Sequence, residues 1–331
     1  MNLRLLQNEL RRRSLFIAAL TPLILNTYGV NHRLFSQDGV SPEEQDRIDG
    51  LLARFKAAAL PEPTITRSSR FVAVGSARAD FVKQVLRMAD DTALSYSRYL
   101  GTARLPVKFS ASRMTIVVLA NAGQYSKIIG QMKARNEGGH FDLDENWTVT
   151  FDHRGRSRST RSSLERSNQV TLIHEVTHQL SFNTGLLNIN GDVPMLVSEG
   201  LATLAEPAGQ SISPGFGKVN SPRIAVLNQI MKRNKKAWIP LGELLKSDDL
   251  FDAPDDATLQ MAYSQSWLFW DTILNRPEFA AKLPVYLKRI EGRVNPDRRL
   301  DDFNAQFGPL AVIEEAMKEN LDSLNSNAPN R

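Results

Sequence analysis

The chain has 331 residues, 42% of them hydrophobic and 23% charged, with a formal net charge of +5. This is an ordinary globular balance, long enough for a two-lobed catalytic unit plus a tail. The absence of cysteine excludes disulfides, thiolate metal ligands and a cysteine nucleophile. Arg4, Arg11, Arg12 and Arg13 against Glu9 account for three of the five net positive charges, so the rest of the chain is near neutral and no nucleic-acid partner is expected.

The N-terminus has a basic region, Arg11-Arg12-Arg13, followed by about a dozen mostly apolar residues. That is the layout of a secretory signal, and it is short for a spanning helix, which needs about 20 residues. Residues 12–16 loosely resemble a twin-arginine signal, but no small-x-small cleavage site follows. Residues 1–30 are therefore expected to be a signal peptide or membrane anchor. This makes the protein exported (periplasmic or secreted) or anchored, with membrane association through residues 14–30. The alternative is an amphipathic helix of a cytosolic protein. His32 carries no assigned role.

Residues 42–60 read as an amphipathic helix and Pro61-Glu62-Pro63 as a linker, giving a helical pre-region over 31–68. A strand at 71–74 follows, then a helix at 79–100 with Phe81, Val82, Val85, Leu86 and Met88 on its apolar side. A buried strand covers 114–119, a helix 122–133 and a third strand 146–152. His140 stands in the turn-like stretch 137–141 before that strand, where it is either a cleft-lining residue or a surface turn residue. His153 ends the strand and carries no role. The arginine-rich run 154–161 reads as a solvated insertion near the cleft mouth, with a polyanion site as the other reading. Helices near 163–183, 194–206, 222–233, 258–275, 278–290 and 308–322 make up the rest, with no strand after the first of them. A disordered tail covers 325–331. The chain has no internal repeat, no Gly-rich phosphate loop and no G-x-S-x-G elbow, so phosphoryl transfer and serine hydrolysis have no support.

The 163–183 segment carries the chemistry. Ser162-Ser163-Leu164-Glu165 fits a capping box; Val170, Ile173, Thr177 and Leu180 recur at helical spacing; Gly185 supplies a C-terminal stop. Within it lies His174-Glu175-Val176-Thr177-His178, an HExxH pattern. Residues four apart stack on one helix face, so both imidazoles can reach one metal. Glu175, one step around the helix, is badly placed as a ligand but well placed to take a proton from a metal-activated water. A catalytic zinc keeps three protein ligands, and Glu199 in the 194–206 helix is the candidate third. Glu206, seven residues on, is either a partner orienting a ligand imidazole or a solvated acid.

His174-Glu175-x-x-His178 with Ser198-Glu199-Gly200-Leu201-Ala202 resembles the gluzincin zinc metallopeptidases. Residues 174–185 and Tyr263-Ser264-Gln265-Ser266-Trp267 look closer to the peptidase-MA-like bacterial domain families of largely unassigned function. The resemblance covers roughly residues 70 to 290. It implies an α+β fold with a thermolysin-like catalytic core: a small mixed sheet lobe, then a mainly helical lobe, with the zinc helix between them. It also implies one Zn²⁺ per chain, a peptide or protein substrate, and an oxyanion donor from the C-terminal lobe, for which Tyr263 falls in the matching segment. The other reading of Tyr263 is a core or interface tyrosine. One departure stands out: Thr203 occupies the position four residues after Glu199 where some relatives carry an acid.

The expected organisation is then a catalytic domain over 69–300 and a C-terminal helix and tail over 301–331. The expected function is zinc-dependent peptide-bond hydrolysis of the metalloendopeptidase or aminopeptidase class. His174, His178 and Glu199 hold the metal, Glu175 is the general base and Tyr263 stabilises the oxyanion. Three alternatives stay open: a zinc hydrolase of non-peptide amides, an inactive metal-binding scaffold of the cell envelope, and a helical protein with an accidental HExxH.

Overall fold

A computed structural model describes residues 39–105, 107–129, 138–155, 161–209 and 212–327, without the side chains of 155 and 161–165. These all fall within one compact unit, Gln37–Arg331. The expected signal or anchor at 1–30 and the middle of the arginine-rich run lie outside the described residues.

The fold is α+β: a five-stranded mixed sheet, then a mostly helical region. The strands are β1 (Thr64–Arg67), β2 (Phe71–Gly75), β3 (Met114–Leu119), β4 (Gly139–Asp142) and β5 (Trp147–Phe151), in the order β1-β2-β3-β5-β4. The central three are parallel, and β1 and β4 join as antiparallel edges. The central strands are mostly apolar and buried at every residue, as parallel strands covered on both faces must be. Their side chains alternate between two cores. Val72, Val74, Val117 and Val149 meet Ile48, Leu51 and Phe55 of α1 (Pro42–Ala57), together with Tyr125 and Ile128 of α3 (Ala122–Ile129). Phe71, Ala73, Ile116 and Val118 meet α2 (Ala79–Thr102) and α4 (Arg161–Asn183) on the other face.

Local chemistry sets the ends of these elements. Ser41 Oγ accepts the Glu44 N–H at 3.1 Å, and Pro42 opens α1. The β4–β5 turn is closed by Asp142 Oδ1, which accepts the N–H groups of Asp144 and Glu145 at 3.0 Å. Asn146 there adopts φ 54°, a conformation Asn tolerates. Gly185, at φ 79°, ends the region of α4 as expected.

The stretch 39–67, expected as a pre-region, packs into the sheet: β1 is its edge and α1 covers a face. Glu44, 1% exposed, is paired with Arg67 at 2.7 Å and Arg113 at 3.1 Å, as a buried carboxylate requires. Neither edge strand is predicted by the residue pattern: β1 follows two prolines, and β4 falls in a stretch whose composition predicts a turn.

After α4 come α5 (Met195–Ala205), α6 (Ser221–Arg233), α7 (Leu241–Lys246), α8 (Asp256–Asn275), α9 (Pro277–Ala280), α10 (Leu283–Glu291), α11 (Arg299–Phe307) and α12 (Leu310–Ser326). The single helix expected at 278–290 is two, and α7 and α11 are additions. Helix α8 buries Trp267, Phe269, Trp270 and Ile273, and α5, α6, α9 and α12 pack against it. Among the described residues no helix is long and apolar enough to cross a membrane.

Candidate metal centre

Helix α4 lies between the sheet and the helical region, and its faces have separate tasks. Leu172, Val176 and Leu180 enter the shared core; of the expected stripe, Ile173, Thr177 and Leu180 are buried and Val170 is half-buried. Gln179 is fully buried and bolts the helix to the sheet. Its Nε2 donates to the Thr115 carbonyl at 2.9 Å, and its Oε1 accepts from Thr148 Oγ1 at 3.1 Å. Asn183 Nδ2 donates to Asn146 Oδ1 at 2.7 Å. These bonds fix the rotation of α4 and turn His174 and His178 toward α5.

Helix α5 brings Glu199 to the same place. Its close approach to α8 depends on Gly200, where an added Cβ would lie 2.1 Å from Trp270 Cδ1 and 2.7 Å from the Ser266 carbonyl oxygen. The indole N–H of Trp270 donates to the Val197 carbonyl at 3.0 Å. A side chain at position 200 would push α5 off α8 and carry Glu199 with it.

Glu199 Oε2 lies 3.1 Å from His174 Nε2 and 3.2 Å from His178 Nε2, and the two imidazole nitrogens are 3.2 Å apart. The three residues are 7–9% exposed. Donors on a tetrahedral zinc with bonds of about 2.0–2.1 Å stand about 3.4 Å apart, so this near-equilateral triangle closely fits the edges of such a site. Among the described residues it is the one group of histidine, cysteine and acidic side chains with metal-ligand geometry. Three acceptor atoms meet at its centre, and only a cation or protons can hold them together. Burial works against a charged His174, yet Glu199, Glu206 and Glu175 hold its pKa up at about 10. Burial likewise opposes ionisation of Glu199, and the two imidazoles overcome it, keeping the carboxyl well below the usual range.

Glu206 is buried and orients a ligand. Its Oε1 is 3.1 Å from His174 Nδ1, which commits that nitrogen to donation and Nε2 to the centre. Burial opposes its charge, but Arg223 and His174 hold the Glu206 pKa down to about 2. Arg223 Nε donates to Glu206 Oε2 at 2.8 Å, and Asn220 Nδ2 donates to the same oxygen at 3.3 Å. Thr203, four residues after Glu199, donates its hydroxyl to the Gly200 carbonyl at 2.8 Å. The acid against His174 is Glu206, just past the end of α5. Sequence reasoning missed Arg223 and Asn220, which sit at the start of α6 in no motif.

Glu175 does not join the triangle. Its Oε2 accepts the Phe141 N–H on β4 at 2.7 Å. In an antiparallel pair alternate residues turn their backbone groups outward, so the expected base is seated on the open edge of the sheet. Tyr263 on α8 lies beside the site, its ring 6.1 Å from that of His174, with the Arg223 guanidinium 5.5 Å from its centre. The charge of Glu199, then burial, then Glu175 raise its hydroxyl pKa far above the ordinary value. It therefore stays a donor.

The remaining histidines are elsewhere. His140 faces away from the centre, on the α3 side of β4, where its Nδ1 is 2.8 Å from the Tyr125 hydroxyl. It does not line the cleft because side chains alternate along the strand and Phe141 takes the α4 side. His153 stacks on Phe151 at 3.8 Å. His32 lies outside the described residues. Arg154, expected to be solvated, pairs instead with Asp80 at 2.9 Å and Asp152 at 2.8 Å.

No curated protein matches the chain. Residues 168–288, which hold all of the centre described above but Phe141, are similar to the family described as "Protein of unknown function (DUF1570)".

Proposed function

We propose that this protein is a zinc-dependent hydrolase of peptide bonds, with His174, His178 and Glu199 as the metal ligands. The observation that carries this reading is the buried triangle of three donor atoms, 3.1–3.2 Å apart, beside a carboxylate seated on an open strand edge. Zinc held there supplies Lewis-acid polarisation of a carbonyl oxygen and a lowered pKa for water.

The chain's own residues supply the rest. Glu206 and Arg223 hold His174 in one tautomer and one orientation. The Phe141 N–H anchors Glu175 Oε2, which leaves Oε1 to take a proton from the attacking water and deliver it to the leaving amine. Tyr263, protonated through the working pH range, donates to the oxygen that gains charge in the transition state. The substrate is a peptide or protein, and the expected export or anchoring through the N-terminal segment belongs to the same proposal.

Deep burial of all three ligands also favours a second reading, an inactive metal-binding scaffold. One experiment separates the two: zinc content by elemental analysis and cleavage of a mixed peptide library, for the wild type and Glu175→Gln. Hydrolysis predicts one zinc per chain in both proteins and cleavage by the wild type alone. Zinc without cleavage in either protein favours the scaffold, and absence of zinc from both removes the metal reading.

A further inference from the structure

Two arginines outside the metal centre, Arg293 and Arg299, are 6% and 4% exposed. They join the chain leading into α5 to the region after α10, and both lie beyond residues 168–288. Arg299 grips two carboxylates at once. Its Nε donates to Asp192 Oδ2 at 3.0 Å, while Nη1 and Nη2 donate to the two oxygens of Asp248 at 2.8 Å each. Arg293 Nε donates to Asp192 Oδ2 at 2.8 Å and Nη2 to the Asp192 carbonyl at 2.9 Å.

Asp248 has a further partner: its Oδ1 accepts the N–H of Met195, the first residue of α5, at 3.0 Å. The residue before Met195 is Pro194, which has no side-chain acceptor to cap the helix. The cap therefore comes from Asp248, and Arg299 holds Asp248 in place. Glu199 lies one helical turn further on.

A buried ion pair is a poor source of stability, since well-packed apolar groups commonly do as well. Its hydrogen bonds are directional, whereas the apolar face of α5, with Leu196, Val197, Leu201 and Leu204, tolerates sliding and rotation. A metal site needs its ligands held to within about 0.5 Å.

We propose that Arg299, acting through Asp192 and Asp248, is a positioning residue for the metal centre: it sets the axial position and rotation of α5 so that Glu199 Oε2 meets His174 and His178. This rests on the metal reading of those three residues. Loss of the guanidinium would leave Asp192 to Arg293 alone, take the cation from the part-exposed Asp248 and free the first turn of α5.

The test compares full-length wild type, Arg299→Met and Arg299→Lys. Lysine keeps the charge but loses the two-pronged grip, and it carries the test should the methionine variant fail to fold. Arg113→Met is the control, because it breaks a buried pair with Glu44 on the far side of the sheet. Zinc dissociation constants are measured by competition with a chromophoric chelator, and the visible spectrum of the Co²⁺-loaded proteins reports ligand geometry. The expected result is zinc binding weakened at least about tenfold and an altered Co²⁺ spectrum in the Arg299 variants, with both unchanged in the control at a similar loss of thermal stability. Arg299 variants that lose stability but keep wild-type affinity and spectrum would overturn the proposal. Wild type that binds neither metal would instead remove the metal reading on which it rests.

Discussion

Glu206 at the end of α5 binds both the imidazole that faces the centre and the guanidinium of Arg223. One carboxylate thus balances a buried cation and fixes a tautomer. Glu206→Gln keeps the shape but removes the charge, leaving Arg223 without its counter-ion and giving His174 a weaker acceptor. Zinc affinity is expected to fall about 10–100-fold, the usual cost of losing a partner that orients a metal ligand. Competition with a chelator measures this directly. Unchanged affinity would mean that Glu206 serves Arg223 alone.

Among the elements, the β4–β5 hairpin has the most consequence for the site, because it carries the Phe141 N–H that seats Glu175. Its turn depends on Asp142, whose pKa is held down to about 2 by His140, 3.9 Å away, and by the Glu145 and Asp144 N–H groups. Because the folded-state value lies below the unfolded value of about 3.9, the stabilisation is fully present above that pH. It is lost as the pH falls toward 2. Asp142→Asn should therefore flatten the acid limb of stability between about pH 4 and pH 2, measured by urea unfolding at a series of pH values. An unchanged slope would show that the turn holds without the charge. The two helices of the centre depend on comparable single contacts, Gln179 against the strand backbone for α4 and Gly200 against Trp270 for α5.

For the whole molecule, the three ligands come from two helices wedged between a sheet and a helical region that share one apolar core. A ligand bound there stabilises the packing of both. Zinc at about 100 times its dissociation constant should add about 2.7 kcal/mol, on the order of a 5 °C rise in melting temperature for a chain of this size. Calorimetry of chelator-treated protein with and without added zinc tests this. The absence of any shift would show that the centre does not bind the ion in the native state. The parts beyond residues 168–288 belong to the same unit: α1, β1 and the C-terminal helices all pack into it.

Parts of the molecule whose information is local are legible in the residues alone. The α4 helix and its histidine spacing follow from a four-residue period, the central strands from apolar runs, and α5 and Glu199 from a helical stretch bounded by two prolines. Features that depend on partners distant in the chain emerge only on folding. β4 was illegible because a four-residue edge strand with glycine and histidine carries no apolar run and exists by pairing with β5. Arg223, Asp248 and Arg299 were illegible because a charged residue reads as solvated until its counter-ion is known, and each of theirs lies 17 to 107 residues away. His140 was undecided for a related reason: strand alternation sets its face, and alternation has no meaning until the strand itself is recognised.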